Sequence, residues 1–169
     1  TLAALDNSGA IIASGADGTN VAIDLSAASG DVTVRQTAVA AGYDAPEITG
    51  DVRLGSGNDT LSIADGTLTG NVAFGAGDNT LTLSGDAVQT GDVTFGSGAD
   101  RVSLEGSASY EGTLDFGGGA DRLDLAGNAY FMGALVNAGQ AAVTLSGGAL
   151  DLRSPASIGS LEVGEGSVL

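Results

Sequence analysis

The sequence predicts an all-β fold, a right-handed single-stranded parallel β-helix, on three observations. A repeat of 20–21 residues runs along the chain, pairs of aliphatic residues alternate at period two within each copy, and glycine-rich strings separate the pairs. No segment sustains a 3.6-residue period, so helices are not expected.

The repeat is plainest between 50 and 151. The copies read GDVRLGSGNDTLSIADGTLT from 50, GNVAFGAGDNTLTLSGDAVQT from 70, GDVTFGSGADRVSLEGSASYE from 91 and GTLDFGGGADRLDLAGNAYFM from 112. A weaker copy, GALVNAGQAAVTLSGGALDL, starts at 133. Irregular copies flank these over 1–49 and 152–169: GAIIASGADGTNVAIDL from 9, GDVTV from 30, which diverges around Tyr43 and Pro46, and GSLEVGEGSVL from 159, after an insertion around Pro155. The whole chain, 1–169, is thus read as one β-helix domain of roughly 7–8 rungs and as an expected piece of a larger protein, since Thr1 is no initiator and no basic leader is present.

Each copy opens with a Val-x-Phe-like pair (Val52 and Leu54, Val72 and Phe74, Val93 and Phe95, Leu114 and Phe116). A Leu-x-Leu-like pair follows (Leu61 and Ile63, Leu81 and Leu83, Val102 and Leu104, Leu123 and Leu125, Val143 and Leu145). Alternation places both members of a pair on one face of a strand. A third strand is expected after the glycines at 66, 85, 106, 127 and 148, with its inward positions left open. Three short strands cannot bury an apolar face alone, so successive copies must stack. Equivalent residues then form columns about 4.8 Å apart, and eight copies give a rod of about 35–40 Å. The right hand follows from the handedness of parallel crossover connections. Phe74, Phe95 and Phe116 become a stacked core column, with a ligand-binding aromatic stripe as the alternative.

Composition excludes several functions. The net charge of −16 comes from 21 acidic residues against 5 arginines, with no lysine, and such a surface repels phosphate backbones, so no nucleic-acid partner is expected. The chain has no cysteine, which removes disulfides, thiolate metal sites and a cysteine nucleophile. It has no histidine, the usual general base and transition-metal ligand, and without lysine no Schiff base can form. No apolar run approaches the roughly 18 residues of a spanning helix.

Chemistry is most regular in the turn between the first two strands: GSGND at 55–59, GAGDN at 75–79, GSGAD at 96–100 and GGGAD at 117–121. These strings resemble the calcium-binding repeat-in-toxin motif, in which glycines expose carbonyls and aspartate adds hard oxygen. The resemblance implies calcium as a cofactor, with Asp59, Asp78, Asp100 and Asp121 as its ligands, beside Asn79. The match departs from that motif at the first glycine, replaced by Leu54, Phe74, Phe95 or Phe116, and in having one loop per 20–21 residues. The other reading needs no cofactor: Asp and Asn serve the turn by bonding to nearby backbone.

Other features carry less. Arg101 and Arg122 follow Asp100 and Asp121 and are expected to form a surface ladder of charge pairs with them. Asp115 and Asp124 are a conceivable carboxylate pair for glycoside cleavage, without any aromatic platform for sugars. No enzyme and no catalytic residue are expected. Ser62, Thr82, Ser103 and Thr144 resemble the hydroxyl arrays of ice-binding β-helices, but Asp124 breaks the column. Asn58-Asp59-Thr60 fits a glycosylation sequon.

The units LGSGNDTLSI, FGAGDNTLTL and FGSGADRVSL are similar to passenger repeats of bacterial autotransporters, over about 50–151 and loosely in the flanks. The resemblance implies a non-enzymatic passenger segment, displayed at the cell surface or released from the outer membrane, acting as a stalk or adhesin. It further implies a C-terminal outer-membrane barrel in the same polypeptide, a host or cell-surface ligand or self-association as the partner, and a folding-initiation role for about 133–169. No G-D-S-G protease signature occurs in this chain. A calcium-binding β-roll-like protein is the second reading, and a polysaccharide-acting enzyme the third.

Overall fold

Period-two alternation commits each copy to short strands, and the glycines between them let the chain turn corners that other residues resist. The computed structural model describes residues 2–15 and 20–169; residues 1 and 16–19, the latter within the first copy, lie outside the described residues. The first turn is β1 (Ala4–Asn7), β2 (Ala10–Ile12) and β3 (Val21–Asp24), and the second β4 (Thr33–Gln36), β5 (Glu47–Thr49) and β6 (Asp51–Arg53). The third is β7 (Thr60–Ile63), β8 (Thr67–Thr69) and β9 (Val72–Ala73), and the fourth β10 (Thr80–Leu83), β11 (Val88–Thr90) and β12 (Val93–Thr94). In the fifth, β13 (Arg101–Leu104) is followed by β14 (Ser109–Asp115), one strand that runs through a corner and serves two faces. The sixth repeats this with β15 (Arg122–Ala126) and β16 (Tyr130–Val136). The seventh has only β17 (Ala142–Ser146) and β18 (Ala149–Leu152), and β19 (Ser160–Val163) opens an eighth. The expected seven to eight rungs are therefore six complete turns and two partial ones.

Among the described residues the strands of successive turns pair in parallel, and an isolated antiparallel bridge joins Ala126 to Gly147. One face is an eight-stranded sheet in the order β1-β4-β7-β10-β13-β15-β17-β19. The other two faces join into an eleven-stranded sheet through β14 and β16. Gly91, at the corner between those faces, shows why the corner excludes side chains. It has φ 132°, and a Cβ there would strike the Gly70 carbonyl of the preceding turn.

The first two aliphatic pairs of each copy point inward as expected: Leu61, Leu81, Val102, Leu123 and Val143 form one buried column, and Ile63, Leu83, Leu104, Leu125 and Leu145 the next. The phenylalanine column forms as expected too, with Phe74 and Phe95 centroids 4.6 Å apart and Phe95 and Phe116 6.1 Å apart, the rings stacked nearly parallel. The third strand, unresolved by pattern, contributes Ile48, Leu68, Gln89, Tyr110, Phe131 and Leu150 in register. Tyr110 stacks on Phe131 at 4.9 Å, and its hydroxyl donates to the Thr113 carbonyl (2.7 Å).

Polar residues enter two columns. Asn7 and Gln36 replace aliphatics at the start of the Ile63 column, and the Asn7 amide donates to Gln36 Oε1 (3.0 Å). The Gln36 amide is held by the carbonyls of Asp65 (2.8 Å), Pro46 and Thr67. At the other end Leu161 and Val163 continue both aliphatic columns but stand half exposed on the outermost strand.

Because Phe95 is 2% exposed and lies between two rings, Phe95→Ala removes contacts on both sides and leaves a cavity the neighbouring turns cannot close. A loss of about 3–5 kcal/mol is expected in urea-induced unfolding followed by circular dichroism. A neutral substitution would contradict the stacked core.

Candidate functional site: the Asx column of the corner loops

The parity that buries Leu61 and Ile63 extends one step further back, to Asp59. The same holds for Asn79 before Leu81, Asp100 before Val102 and Asp121 before Leu123. All four polar side chains are accordingly buried, at 0–3% exposure. The glycines before them let the loop fold tightly over the column. Gly98 has φ 146°, and a Cβ there would meet the Gly77 carbonyl of the turn before it.

Burial obliges these groups to find partners, and they find them mostly in the neighbouring turn. Asp59 Oδ1 accepts the Val32 N–H (2.8 Å), while its Oδ2 accepts the Gly55 N–H within its own loop (3.1 Å). The Asp59 N–H donates to Asn79 Oδ1 (3.0 Å), the Asn79 N–H to Asp100 Oδ1 (2.8 Å), and the Asp100 N–H to Asp121 Oδ1 (3.0 Å). Asn79 also donates its amide to the Gly77 carbonyl (2.9 Å) and to Asp100 Oδ1 (3.0 Å). The column ends at Ala141, in register with Asp121 and with no acceptor to offer.

Residues of the opposite parity make a second, exposed ladder with the reverse sense. The Asn58 N–H donates to Asp31 Oδ1 (2.7 Å), the Asp78 N–H to Asn58 Oδ1 (2.8 Å), and the Ala99 N–H to Asp78 Oδ1 (2.7 Å). A third runs along the next corner, through Asp51, Asn71 and Asp92 to the Thr113 N–H.

The four expected calcium ligands are thus divided: Asp59, Asp100 and Asp121 lie inside the loop column, and Asp78 lies on the outer ladder. Among the described residues no three acidic side chains gather into a group able to hold a metal ion. The electrostatics of the inner column are uneven. Burial raises the Asp100 carboxyl above the ordinary aspartate range, against hydrogen bonds from the Asn79 backbone and amide, and the nearby Asp121 and Asp78 add to the rise. Burial raises the Asp121 carboxyl as well, opposed by the Asp100 N–H. The Oδ2 atoms of both are buried without a partner.

The arginines do not pair as the chain order suggests. Neighbours in a strand point to opposite sides, so Arg101 and Arg122 face outward while Asp100 and Asp121 face inward. Both guanidiniums instead hold Asp124: Arg101 Nη2 lies 2.7 Å from its Oδ2, and Arg122 Nε lies 2.7 Å from both carboxylate oxygens. The expected Asp100–Arg101 and Asp121–Arg122 pairs are therefore replaced by one carboxylate shared between two turns. Asp124 is thereby separated from Asp115, which sits on another face and accepts from Asn137 Nδ2 (2.7 Å) and the Gly117 N–H (2.9 Å).

Asn79→Ala strips the acceptor from the Asp59 N–H and the donor from Asp100, leaving buried polar atoms unpaired. A loss of about 1–3 kcal/mol is expected by urea denaturation. On the reading in which the loop residues serve only as hydrogen-bonded turns, millimolar calcium is expected to raise Tm no more than sodium at matched ionic strength. A calcium-specific rise that disappears in Asp100→Asn and Asp121→Asn would place calcium there after all.

Comparison with protein-family models, with curated proteins and with solved structures found no match to this chain.

Proposed function

We propose that the chain is a non-enzymatic passenger segment of a bacterial autotransporter, a surface-displayed rod that works as a stalk or adhesion surface. The observation that carries this reading is the consumption of its loop chemistry by its own architecture: the most regular polar side chains bond the backbone of the neighbouring turn. What remains for a partner is the outside of the rod, whose faces carry mostly polar side chains and a strong negative charge, with Val88, Tyr130 and Val136 exposed among them. Three further properties suit delivery to a surface. The chain has no cysteine to cross-link during export. Each turn contacts mainly its neighbours, so folding can propagate from one turn to the next once the chain has crossed a membrane. The many acidic residues keep the emerging chain soluble.

The test is a fusion of residues 1–169 between an export signal and an outer-membrane barrel in a Gram-negative host. Intact cells are expected to carry the segment outside, as a β-rich, protease-resistant unit stainable by antibody. Retention in the periplasm of a chain that folds normally when purified would overturn the reading, as would hydrolysis of a polysaccharide panel that is lost in Asp115→Asn or Asp124→Asn.

A further inference from the structure

We propose that the excursion over residues 37–46 is the contact element of the rod, clamped at its base by the buried Asn7–Gln36 pair and presenting Tyr43 and Asp44 to an arginine-bearing protein surface. This deepens the reading of the rod as an adhesion surface, and rests on that reading for the existence of a partner.

The corner between the first and second strands of a turn is short elsewhere, two to four residues at 8–9, 64–66, 84–87, 105–108, 127–129 and 147–148. Between β4 and β5 it takes ten, residues 37–46. In stacked repeats an insertion within one copy becomes a loop outside the stack, on the side where partners bind. Thr37 leaves the rod with its N–H on the Asn7 carbonyl (2.9 Å), and Pro46 returns buried, its carbonyl accepting the Thr67 N–H (3.1 Å). Residues 40–45 between them are all exposed. At the tip the Tyr43 N–H donates to the Ala40 carbonyl (3.2 Å), and Gly42, with φ 98°, supplies the left-handed third position of that turn.

The same loop accounts for the polar residues in the aliphatic column. Gln36 is the last residue before the excursion. Its amide holds the carbonyl of Pro46 at the end of the loop and those of Asp65 and Thr67 at the matching corner of the next turn. Its Oε1 is held by the Asn7 amide, which also reaches the Glu47 carbonyl just past the loop (3.3 Å). The Asp65 carboxylate accepts the Val39 N–H (3.2 Å). Both feet of the loop are thus fixed, from inside the core and from the next turn. Closing the rod needs none of this, since residues 64–66 do it one turn later beside an aliphatic Ile63.

The tip has a definite chemistry. Ala38, Ala40, Ala41, Gly42 and Ala45 are small, so Tyr43 stands clear at 77% exposure, the most exposed large apolar side chain among the described residues. A tyrosine ring offers wide contact area at little cost in rotamer freedom. Asp44 follows it, Glu47 stands at the foot, and no cation occurs between 36 and 52. An arginine suits both groups, its guanidinium plane stacking on a ring and its fork pairing with a carboxylate. The net charge of −16 attracts the same class of partner.

The experiment uses the purified chain with 13C-labelled tyrosine, in sodium chloride at about 0.15 M. The probes are blocked peptides Gly-Gly-X-Gly-Gly, where X is arginine, lysine or citrulline, and the neutral sugar maltohexaose. The Tyr43 ring resonances are expected to shift saturably, most with arginine, less with lysine and not with citrulline, while those of half-exposed Tyr130 stay in place. Tyr43→Ala is expected to weaken binding of the arginine peptide about fivefold or more, read from the peptide's own resonances. Asn7→Leu/Gln36→Leu is expected to melt no lower than wild type, while the Tyr43 amide exchanges at least about tenfold faster and the ring shift shrinks. A Tyr43 response no larger than that of Tyr130 would overturn the proposal. So would an equal response to citrulline, or to maltohexaose, which would mark a glycan site instead. A double variant that unfolds, or that keeps the wild-type exchange rate at Tyr43, would show that the pair holds the rod and not the loop. Export plays no part in these measurements, so their failure is distinct from failure of the passenger reading.

Discussion

Parallel, in-register stacking makes every residue the neighbour of its own counterpart, about 4.8 Å above and below. All else in this molecule follows from which side chains tolerate their own likeness at that distance. Aliphatic residues and aromatic rings do so readily, and the Phe74–Phe95–Phe116 column is the outcome. Glycine does so at corners where backbone meets backbone, as Gly91 meets Gly70. Asparagine does so because its amide is both donor and acceptor. Aspartate satisfies only half of that requirement when ionised, and the inner column holds three aspartates to one asparagine.

The same constraint explains the outer faces. Like charges stacked directly over one another repel, and the chain has few arginines with which to interrupt an acidic column. Each of the five sits within 4 Å of an aspartate, and Arg101 and Arg122 share Asp124 across two turns. Those pairs are largely exposed, so each contributes little to stability. Their effect is to keep two columns from becoming continuous lines of one sign.

Much of this was legible in the sequence, because period-two alternation and a fixed repeat length report directly on strand faces and register. The paired aliphatics and the phenylalanine column could be placed from spacing alone. The third strand could not, since its inward column mixes Ile48, Leu68, Gln89, Tyr110 and Phe131, and no single residue type marks the register. A glycine-rich string suggests a loop facing water, and on that ground the loop aspartates read as turn residues or calcium ligands. The parity that carries Leu61 and Ile63 inward already reached Asp59, and applying it there shows the burial. Parity also separates Arg101 from Asp100, which adjacency in the chain had joined.

The inter-turn hydrogen bonds, backbone and side chain alike, point along the rod. A load applied to its two ends therefore pulls each bond in its own direction, and the bonds of one turn can open before those of the next are stressed. Such an object yields by peeling from an end at a nearly level force. Every released turn of 20–21 residues pays out about 70 Å of extended chain in place of a single 4.8 Å step. The corner ladders run from Asp31 and Val32 to Asp121, so the turns they tie together give way later than the ends beyond them. In mechanical terms the chain is a shock absorber whose stroke is set by the number of copies it carries.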